Sequence, residues 1–233
     1  MTIKLQGSQV LVVGAGIMGA GIAQVAAQAG HVVLLYDARE GAADDTKAKI
    51  EKSLEGLVAK GRMTEDASQT ILSHIEPIAA LELAGSVKLA IEAIVENLEF
   101  KRGLFQQLES LVSPQCVLAT NTSSISVTAI ANGMEHPQRL VGMHFFNPVP
   151  LMKLVEVVSG LQTETAAAER VFALATAWGK TAVHARSTPG FIVNRIARPF
   201  YAETLALLLE RAAEPQALDA CVKAAGFRMG RAS

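Results

Sequence analysis

Six residues near the N-terminus constrain the fold more than any other part of the chain: Gly14, Ala15, Gly16, Ile17, Met18 and Gly19. They follow an apolar run at residues 10–13 and open a segment of helix-forming composition that ends at Gly30. In this position a GxGxxG string makes a tight turn, lets the backbone approach a pyrophosphate and packs the helix closely on the strand. A second apolar run at residues 32–36 completes a βαβ unit. The pattern therefore predicts that the phosphates of a dinucleotide bind at the N-terminus of the first helix.

The second apolar run is followed by Asp37, 18 residues after Gly19. A carboxylate in this place can accept hydrogen bonds from both hydroxyls of the adenosine ribose. It would also repel the 2′-phosphate of NADP, so the sequence predicts NAD as the cofactor. Arg39 supplies a nearby cation, which leaves the choice between NAD and NADP open. The role of Asp37 is also open, because this residue could instead cap the following helix.

Continuous apolar runs alternate with helical patterns along most of the chain. Because strands of a parallel sheet are covered on both faces, such uninterrupted runs are typical of a doubly wound α/β sheet. Besides the first βαβ unit, we expect strands at residues 87–94, 117–119, 140–145 and 154–158, and helices at residues 44–62, 101–111 and 163–178.

The pattern changes at a Ser-Thr-Pro-Gly segment, residues 187–190, beyond which only helical segments follow, at residues 191–213 and 215–225. We therefore predict two domains. A Rossmann-type, doubly wound α/β domain covers residues 1–186, and an all-helical C-terminal domain begins with residues 187–233.

The charge balance points to a small partner. Lys and Arg number 21 against 22 Asp and Glu, a net charge of −1, which provides no broad positive field for a nucleic acid or an anionic membrane. The apolar runs all stop well short of the ~20 residues that a membrane helix needs. The histidines lack the spacing of metal ligands, so we expect no metal.

The cellular location is predicted from the thiols and the N-terminus. Cys116 and Cys221 are too few for a disulfide framework, and both lie in apolar stretches where a thiol behaves as a small hydrophobe. Residues 1–9 carry no secretory signal pattern. We therefore expect a cytoplasmic protein.

Four further segments are more specific than the glycine motif: EAIVEN at residues 92–97, NTSS at 121–124, HFFNPVP at 144–150 and LVE at 154–156. Together with the glycine motif they resemble the L-3-hydroxyacyl-CoA dehydrogenase family, over residues 5–230. Within it, the chain is most similar to bacterial enzymes that act on 3-hydroxybutyryl-CoA or 3-hydroxyadipyl-CoA. The resemblance implies reversible, NAD-dependent oxidation of an (S)-3-hydroxyacyl-CoA to the 3-oxoacyl-CoA, in fatty-acid or aromatic-acid (phenylacetate or butanoate) catabolism.

The resemblance also implies a catalytic site of four residues. His144 is the general base, Glu156 orients and charges it, and Ser123 and Asn194 hydrogen-bond the reacting oxygen. The chemistry agrees, because loss of hydride from C3 leaves a protonated carbonyl unless an imidazole takes the hydroxyl proton. Considered alone, His144 could be a structural histidine and Glu156 a surface strand residue.

Cofactor contacts implied by the resemblance come from Glu96, Lys101, Ser123 and Asn147, in addition to the glycine motif and Asp37. Taken alone, Lys101 could equally be a solvated lysine at the start of a helix.

The coenzyme A end of the substrate is assigned to the amphipathic helix predicted at residues 44–62. Ser53 and Lys60, seven residues apart, lie at one edge of its apolar stripe, and the resemblance implies that they contact coenzyme A. A solvated basic face is the alternative interpretation of the same residues.

Two other functions are compatible with the glycine motif. One is a dehydrogenase of small 3-hydroxy acids, whose family uses a Lys base, and residues 144–150 argue against it. The other is a non-catalytic NAD-binding protein such as a lens crystallin. The joint presence of Ser123, His144, Glu156 and Asn194 argues against that alternative.

The predicted helical domain is short. After residues 226–230 a family member continues into further helices, whereas only Arg231, Ala232 and Ser233 follow here. The resemblance implies a homodimer, and the truncated helical domain leaves both dimerisation and full activity open.

Overall fold

A computed structural model describes residue 5 and residues 7–227. Residues 231–233, with which the predicted short helical domain ends, lie outside the described residues. The chain divides into two compact units, one ending at Thr188 and the other beginning at Pro189. One sheet runs through the first unit. Its strands are β1 (Val10–Val13), β2 (Val33–Tyr36), β3 (Ile75–Pro77), β4 (Leu89–Glu92), β5 (Val117–Thr120), β6 (Leu140–Phe145), β7 (Leu154–Ser159) and β8 (Thr181–Arg186).

The strand order across the sheet is β3-β2-β1-β4-β5-β6-β7-β8. Strands β1 to β6 are all parallel, whereas β7 is antiparallel to β6 and parallel to β8. This is the Rossmann order with two strands added at one edge. The order reverses between β1 and β4, and ligands of such sheets bind in the crevice at the carboxyl ends of those strands. The predicted Rossmann-type α/β fold is confirmed.

Helices connect the strands of the first unit and make up the second. Those of the first unit are α1 (Ile17–Gln28), α2 (Ala42–Ala59), α3 (Glu65–Ser73), α4 (Leu98–Leu111), α5 (Val127–Ala131) and α6 (Thr165–Ala177). The second unit contains α7 (Val193–Leu209) and α8 (Pro215–Ala224). Among the residues described, no helix combines the length and the apolar character needed to cross a membrane.

The central strands explain why continuous apolar runs predicted the sheet. Every residue of β1, β4, β5 and β6 is buried, since helices and neighbouring strands cover them. Each fully buried Val, Leu or Ile contributes roughly 1.5–3 kcal/mol to this core. Cys116 belongs to it, and burial raises the pKa of its thiol to about 12. The expected apolar surroundings of Cys221 are wrong, because that residue is exposed on α8.

Some elements differ from the predicted pattern. The helix expected at residues 44–62 is α2, which ends at Ala59 because Lys60 caps it and Gly61 adopts a φ of +66°. Helices α3 and α5 and strands β3 and β8 have no counterpart in the predicted pattern. Strand β3 has only three residues, and β8 exposes much of its surface at the sheet edge, so neither has a continuous apolar run.

Candidate active site

The turn between β1 and α1 has the geometry that a phosphate-binding turn needs. Gly14 has a φ of +103°, and a Cβ there would lie 2.5 Å from the Ala93 carbonyl oxygen, just beyond β4. A Cβ on Gly19 would lie 1.7 Å from the Gly14 carbonyl oxygen, so only glycine lets α1 pack on the turn. A Cβ on Gly16, by contrast, would meet no atom of the described residues within 4 Å. Packing does not require glycine at this N-cap, but close approach of a pyrophosphate does.

Asp37 holds the same turn from the end of β2. Its Oδ2 accepts the backbone N–H of Ala15 at 2.7 Å, and its Oδ1 accepts the backbone N–H of Arg39 at 2.9 Å. The helix-cap alternative is wrong, because α2 begins at Ala42 with Gly41 as its N-cap. The Arg39 guanidinium lies 3.4 Å from Asp45 Oδ2. Asp37 is therefore positioned to present its charge beside the glycine turn.

A pocket of about 600 Å³ opens between Asp37 and the start of α4. The side chains of Leu81, Val95, Phe100 and Leu104 contribute apolar walls beside Gly14. Val95 and Phe100 are large hydrophobic residues that remain more than half exposed. Such an apolar slot beside the Asp37 carboxylate suits a flat adenine ring. Sequence reasoning missed these residues, although apolar side chains flanking Glu96 at the predicted strand end were a signal.

A second cleft, of about 550 Å³, lies between α1, α2 and the loop after β6. The glycine turn forms one wall, and Asn147 to Pro150 form another. Arg39, Lys49 and Ser53 add polar groups from the α2 side. Ser53 thus lines the cleft, whereas Lys60, at the C-cap of α2, is not among its lining residues. This cleft combines cations with apolar surface, as a pantetheine chain with attached phosphates requires.

Lys180 secures the loop that carries Asn147. Its buried ammonium donates hydrogen bonds to the carbonyl oxygens of Val149 at 2.5 Å and Met152 at 2.9 Å. Burial lowers the pKa of this amine. On the opposite side, a Cβ on Gly21 of α1 would lie 2.7 Å from Val149 Cβ, so the loop also packs tightly on α1. Two independent contacts therefore define the cleft wall, and sequence reasoning foresaw neither.

Lys101 is buried rather than solvated, so the solvated-lysine alternative is wrong. Its Nζ donates to Glu92 Oε1 at 2.5 Å and lies 3.2 Å from Glu96 Oε2. Glu96 Oε1 accepts the Thr122 hydroxyl at 2.6 Å and the backbone N–H of Ser123 at 3.0 Å. Burial alone would raise the pKa of Glu96, but the Thr122 hydrogen bond, the Lys101 charge and the Ser123 N–H together lower it to about 2. The predicted cofactor residues Glu96, Lys101 and Ser123 thus belong to one network.

Asn121 links this network to the strand that carries His144. Its side-chain Oδ1 accepts the backbone N–H of Phe145 at 2.9 Å, which ties the loop after β5 to the end of β6. Sequence reasoning quoted Asn121 only as part of a motif. Its role is set by strand neighbourhood, because β5 and β6 lie side by side in the sheet.

His144 and Glu156 face each other across β6 and β7. His144 Nδ1 lies 2.6 Å from Glu156 Oε2, and the side chains are 6% and 0% exposed, so the surface-residue alternative for Glu156 is wrong. A carboxylate accepts the Nδ1–H, which puts the lone pair of a neutral imidazole on Nε2. Such a pair can orient a base and stabilise the imidazolium that forms when it takes a proton.

Asn194 lies in the first turn of α7, in the second unit, so its part in the site stays a prediction. Within the described ranges, no group of three or more His, Cys, Asp or Glu side chains could hold a metal ion.

Comparison with protein families gives two matches. Residues 9–188 match the model of the 3-hydroxyacyl-CoA dehydrogenase NAD-binding domain, and residues 190–233 match the model of the C-terminal domain of the same family.

Individual relatives agree with this match. The chain is 47% identical over 231 residues to a 3-hydroxyadipyl-CoA dehydrogenase of Escherichia coli, covering 99% of this chain and 48% of that protein. It is 46% identical over 212 residues to a probable 3-hydroxybutyryl-CoA dehydrogenase of Deinococcus radiodurans, covering 91% and 76%. The crystal structure of a 3-hydroxybutyryl-CoA dehydrogenase from Escherichia coli superposes with a TM-score of 0.95 at 46% identity, covering 97% and 48%. The chain thus spans about half the length of the Escherichia coli relatives.

Proposed function

The chain belongs to the 3-hydroxyacyl-CoA dehydrogenase family, and from this premise we propose that it reversibly oxidises an (S)-3-hydroxyacyl-CoA to the 3-oxoacyl-CoA with NAD. One observation carries the proposal beyond cofactor binding. It is the buried contact of 2.6 Å between His144 Nδ1 and Glu156 Oε2, which is suited to a general base.

The residues present fit NAD. The open space at Gly16 leaves room for the pyrophosphate at the N-terminus of α1, and Asp37, which already binds the glycine turn, would accept the hydroxyls of the adenosine ribose. Glu96, which contacts the buried Lys101, would accept a ribose hydroxyl of the nicotinamide half. When bound, NAD⁺ supplies the acceptor for the hydride that leaves C3 of the substrate.

The chain's own residues handle the proton. As the C3–H bond breaks and the C3 carbonyl forms, the hydroxyl proton passes to Nε2 of His144. Glu156 accepts the Nδ1–H of the resulting imidazolium, and its negative charge stabilises the positive charge that forms in the buried site. Ser123 and Asn194 donate hydrogen bonds to the reacting oxygen. In the reverse direction His144 returns the same proton.

The thioester is assigned to the cleft beside α2. Ser53 lines it, and Lys60 neutralises a phosphate of coenzyme A at the end of the helix. Because the similar proteins are named for 3-hydroxyadipyl-CoA and 3-hydroxybutyryl-CoA, we propose a short acyl chain and a place in fatty-acid or aromatic-acid catabolism. The expected homodimer, the cytoplasmic location and the domains at residues 1–186 and 187–233 are part of the same proposal.

Replacing the base tests the proposal. His144→Gln keeps hydrogen-bonding capacity but cannot take the proton, so we expect kcat to fall by ~10²–10⁴-fold. Affinity for NADH should barely change, since His144 acts on the substrate. The measurement is NADH formation with 3-hydroxybutyryl-CoA and NADH consumption with acetoacetyl-CoA, together with fluorescence titration of NADH.

Two controls make the result specific. His184→Gln changes a half-exposed histidine that pairs with Glu169 on the surface, and it should leave kcat unchanged. Free 3-hydroxybutyrate, offered in place of its thioester, should react poorly. Near-normal turnover of His144→Gln would remove His144 from the mechanism, and preference for the free acid would favour a dehydrogenase of small hydroxy acids.

A further inference from the structure

Three charged side chains form a row from the interior of the first unit towards the surface. Glu92 is fully buried, Lys101 is 1% exposed and Glu96 is 36% exposed. The Lys101 ammonium lies between the two carboxylates, 2.5 Å from Glu92 Oε1 and 3.2 Å from Glu96 Oε2. Glu96 therefore offers most of the surface through which a ligand can contact this row.

Glu92 has hydrogen-bond partners on α4, on β5 and in the loop after β4. Its Oε1 accepts the backbone N–H of Ile94 as well as Lys101 of α4, and its Oε2 accepts the Thr120 hydroxyl of β5 at 2.6 Å. A buried ammonium without a carboxylate partner is strongly unfavourable. Glu92 thus allows Lys101 to remain charged beneath Glu96 and limits where the ammonium can lie.

The two oxygens of Glu96 differ in their surroundings. Oε1 accepts the Thr122 hydroxyl and the backbone N–H groups of Ser123 and Ser124, at 2.6, 3.0 and 3.1 Å. Oε2 faces Lys101. A carboxylate oxygen has two lone pairs, so Oε2 can accept a ligand hydroxyl while the ammonium contact is kept. The direction of that lone pair depends on where Lys101 lies.

We propose that Glu92 is a positioning residue for the cofactor, which acts through Lys101 to orient Glu96 towards the ribose of the nicotinamide half of NAD. This inference rests on the proposed function, because it takes NAD to be the ligand of Glu96. Asp37, which directly follows β2 and binds the glycine turn, would serve the adenosine half independently. Each half of the dinucleotide then has its own carboxylate, and only one of them depends on Glu92.

Comparing NADH with AMP, which has only the adenosine half, tests the inference on the full chain. Glu92→Gln keeps the side-chain size but removes the charge, and we expect the Kd of NADH to rise by about tenfold to a hundredfold. The Kd of AMP should stay within about twofold, an asymmetry that general damage to the fold would not produce. Glu169→Gln is the control, because Glu169 is an exposed residue of α6 that pairs with His184 and lines neither the pocket beside Asp37 nor the cleft beside α2. It should change neither Kd.

Glu92→Gln leaves the buried Lys101 ammonium without its carboxylate partner and could therefore fail to fold. A second pair of variants keeps the inference testable in that case. Lys101→Met leaves the buried Glu92 carboxylate without its cation, and adding Glu92→Gln removes that unpaired charge. The double variant should therefore bind NADH no more weakly than Lys101→Met alone. The inference is overturned by an NADH affinity of Glu92→Gln within twofold of wild type, by equal losses for NADH and AMP, or by a further loss in the Lys101→Met background. A wild-type chain that binds no NADH would refute the proposed function instead.

Discussion

We propose that the choice between NAD and NADP depends on Asp37. It presents a negative charge beside the glycine turn and accepts the backbone N–H of Ala15. Asp37→Ser removes the charge that repels a 2′-phosphate, so the preference for NAD over NADP should fall by about tenfold or more, while NAD binding weakens. The ratio of kcat/KM for the two cofactors measures this change.

The control for Asp37→Ser is Asp66→Ser, which changes an exposed acidic residue in the first turn of α3. The ratio of kcat/KM for NAD and NADP should be the same in Asp66→Ser as in the wild-type protein. Equal use of NAD and NADP by the wild-type protein would contradict this account of Asp37.

Glu92 illustrates what sequence reasoning overlooked among single residues. It ends an otherwise apolar strand, Leu89–Glu92. A carboxylate directly after buried apolar residues, with Glu96 and Lys101 following, was the available signal. Burying a carboxylate is costly unless it is paired, so such a residue predicts a buried cation nearby.

Helix α2 shows how the end of an element changes a binding prediction. Ser53 lies within the helix beside the cleft, whereas Lys60 lies at its C-cap and is exposed. If Lys60 neutralises a phosphate of coenzyme A, Lys60→Ala should raise KM for acyl-CoA by about two- to fivefold with kcat little changed, because exposed ion pairs contribute little. Added salt should diminish the difference.

An acyl-pantetheine substrate, which lacks the phosphates, is the control for Lys60→Ala and should react equally with both proteins. Lys49→Ala gives a useful comparison, since Lys49 lines the cleft one helical turn before Ser53. If Lys60→Ala impaired both substrates alike, damage to α2 would explain the loss, and the solvated basic face would be the better interpretation.

Stability of the whole molecule in acid should depend on Glu96. Its pKa is lowered from 4.5 to about 2 in the folded chain, so the stabilisation is fully present above pH 4.5 and is lost as the pH falls through about 2. Glu96→Gln should therefore lower the free energy of unfolding at pH 6–7 by about 1–2 kcal/mol, after discounting for partial exposure. The difference from wild type should shrink steadily between pH 4.5 and 2.

Urea unfolding followed by circular dichroism across this pH range measures the Glu96 effect. Glu99→Gln, at an exposed site of α4, should leave the curve close to wild type. A constant difference between Glu96→Gln and wild type down to pH 2 would mean that loss of the carboxylate charge is not the cause.

Local patterns were sufficient to determine the class of fold and the cofactor turn. The first strand and the glycine turn could be predicted from neighbouring residues alone. Strand Val10–Val13, the turn from Gly14 to Gly19 and the N-terminus of α1 are formed by consecutive residues. Asp37 could be predicted in the same way, because it directly follows the residues of β2 in the sequence. Roles beyond the turn came from resemblance, since no spacing rule connects His144 with a residue twelve positions later.

The tertiary structure alone decided which distant side chains meet. His144 contacts Glu156 because β7 pairs antiparallel with β6 in one particular register, and a shift by one residue would turn Glu156 to the other face. Lys101 is buried because α4 lies over Glu92, and Lys180 secures the loop after β6 because β8 adds to the sheet edge beside β7. Strand pairing and burial depend on the packing of the whole unit, so residue spacing along the chain cannot determine them.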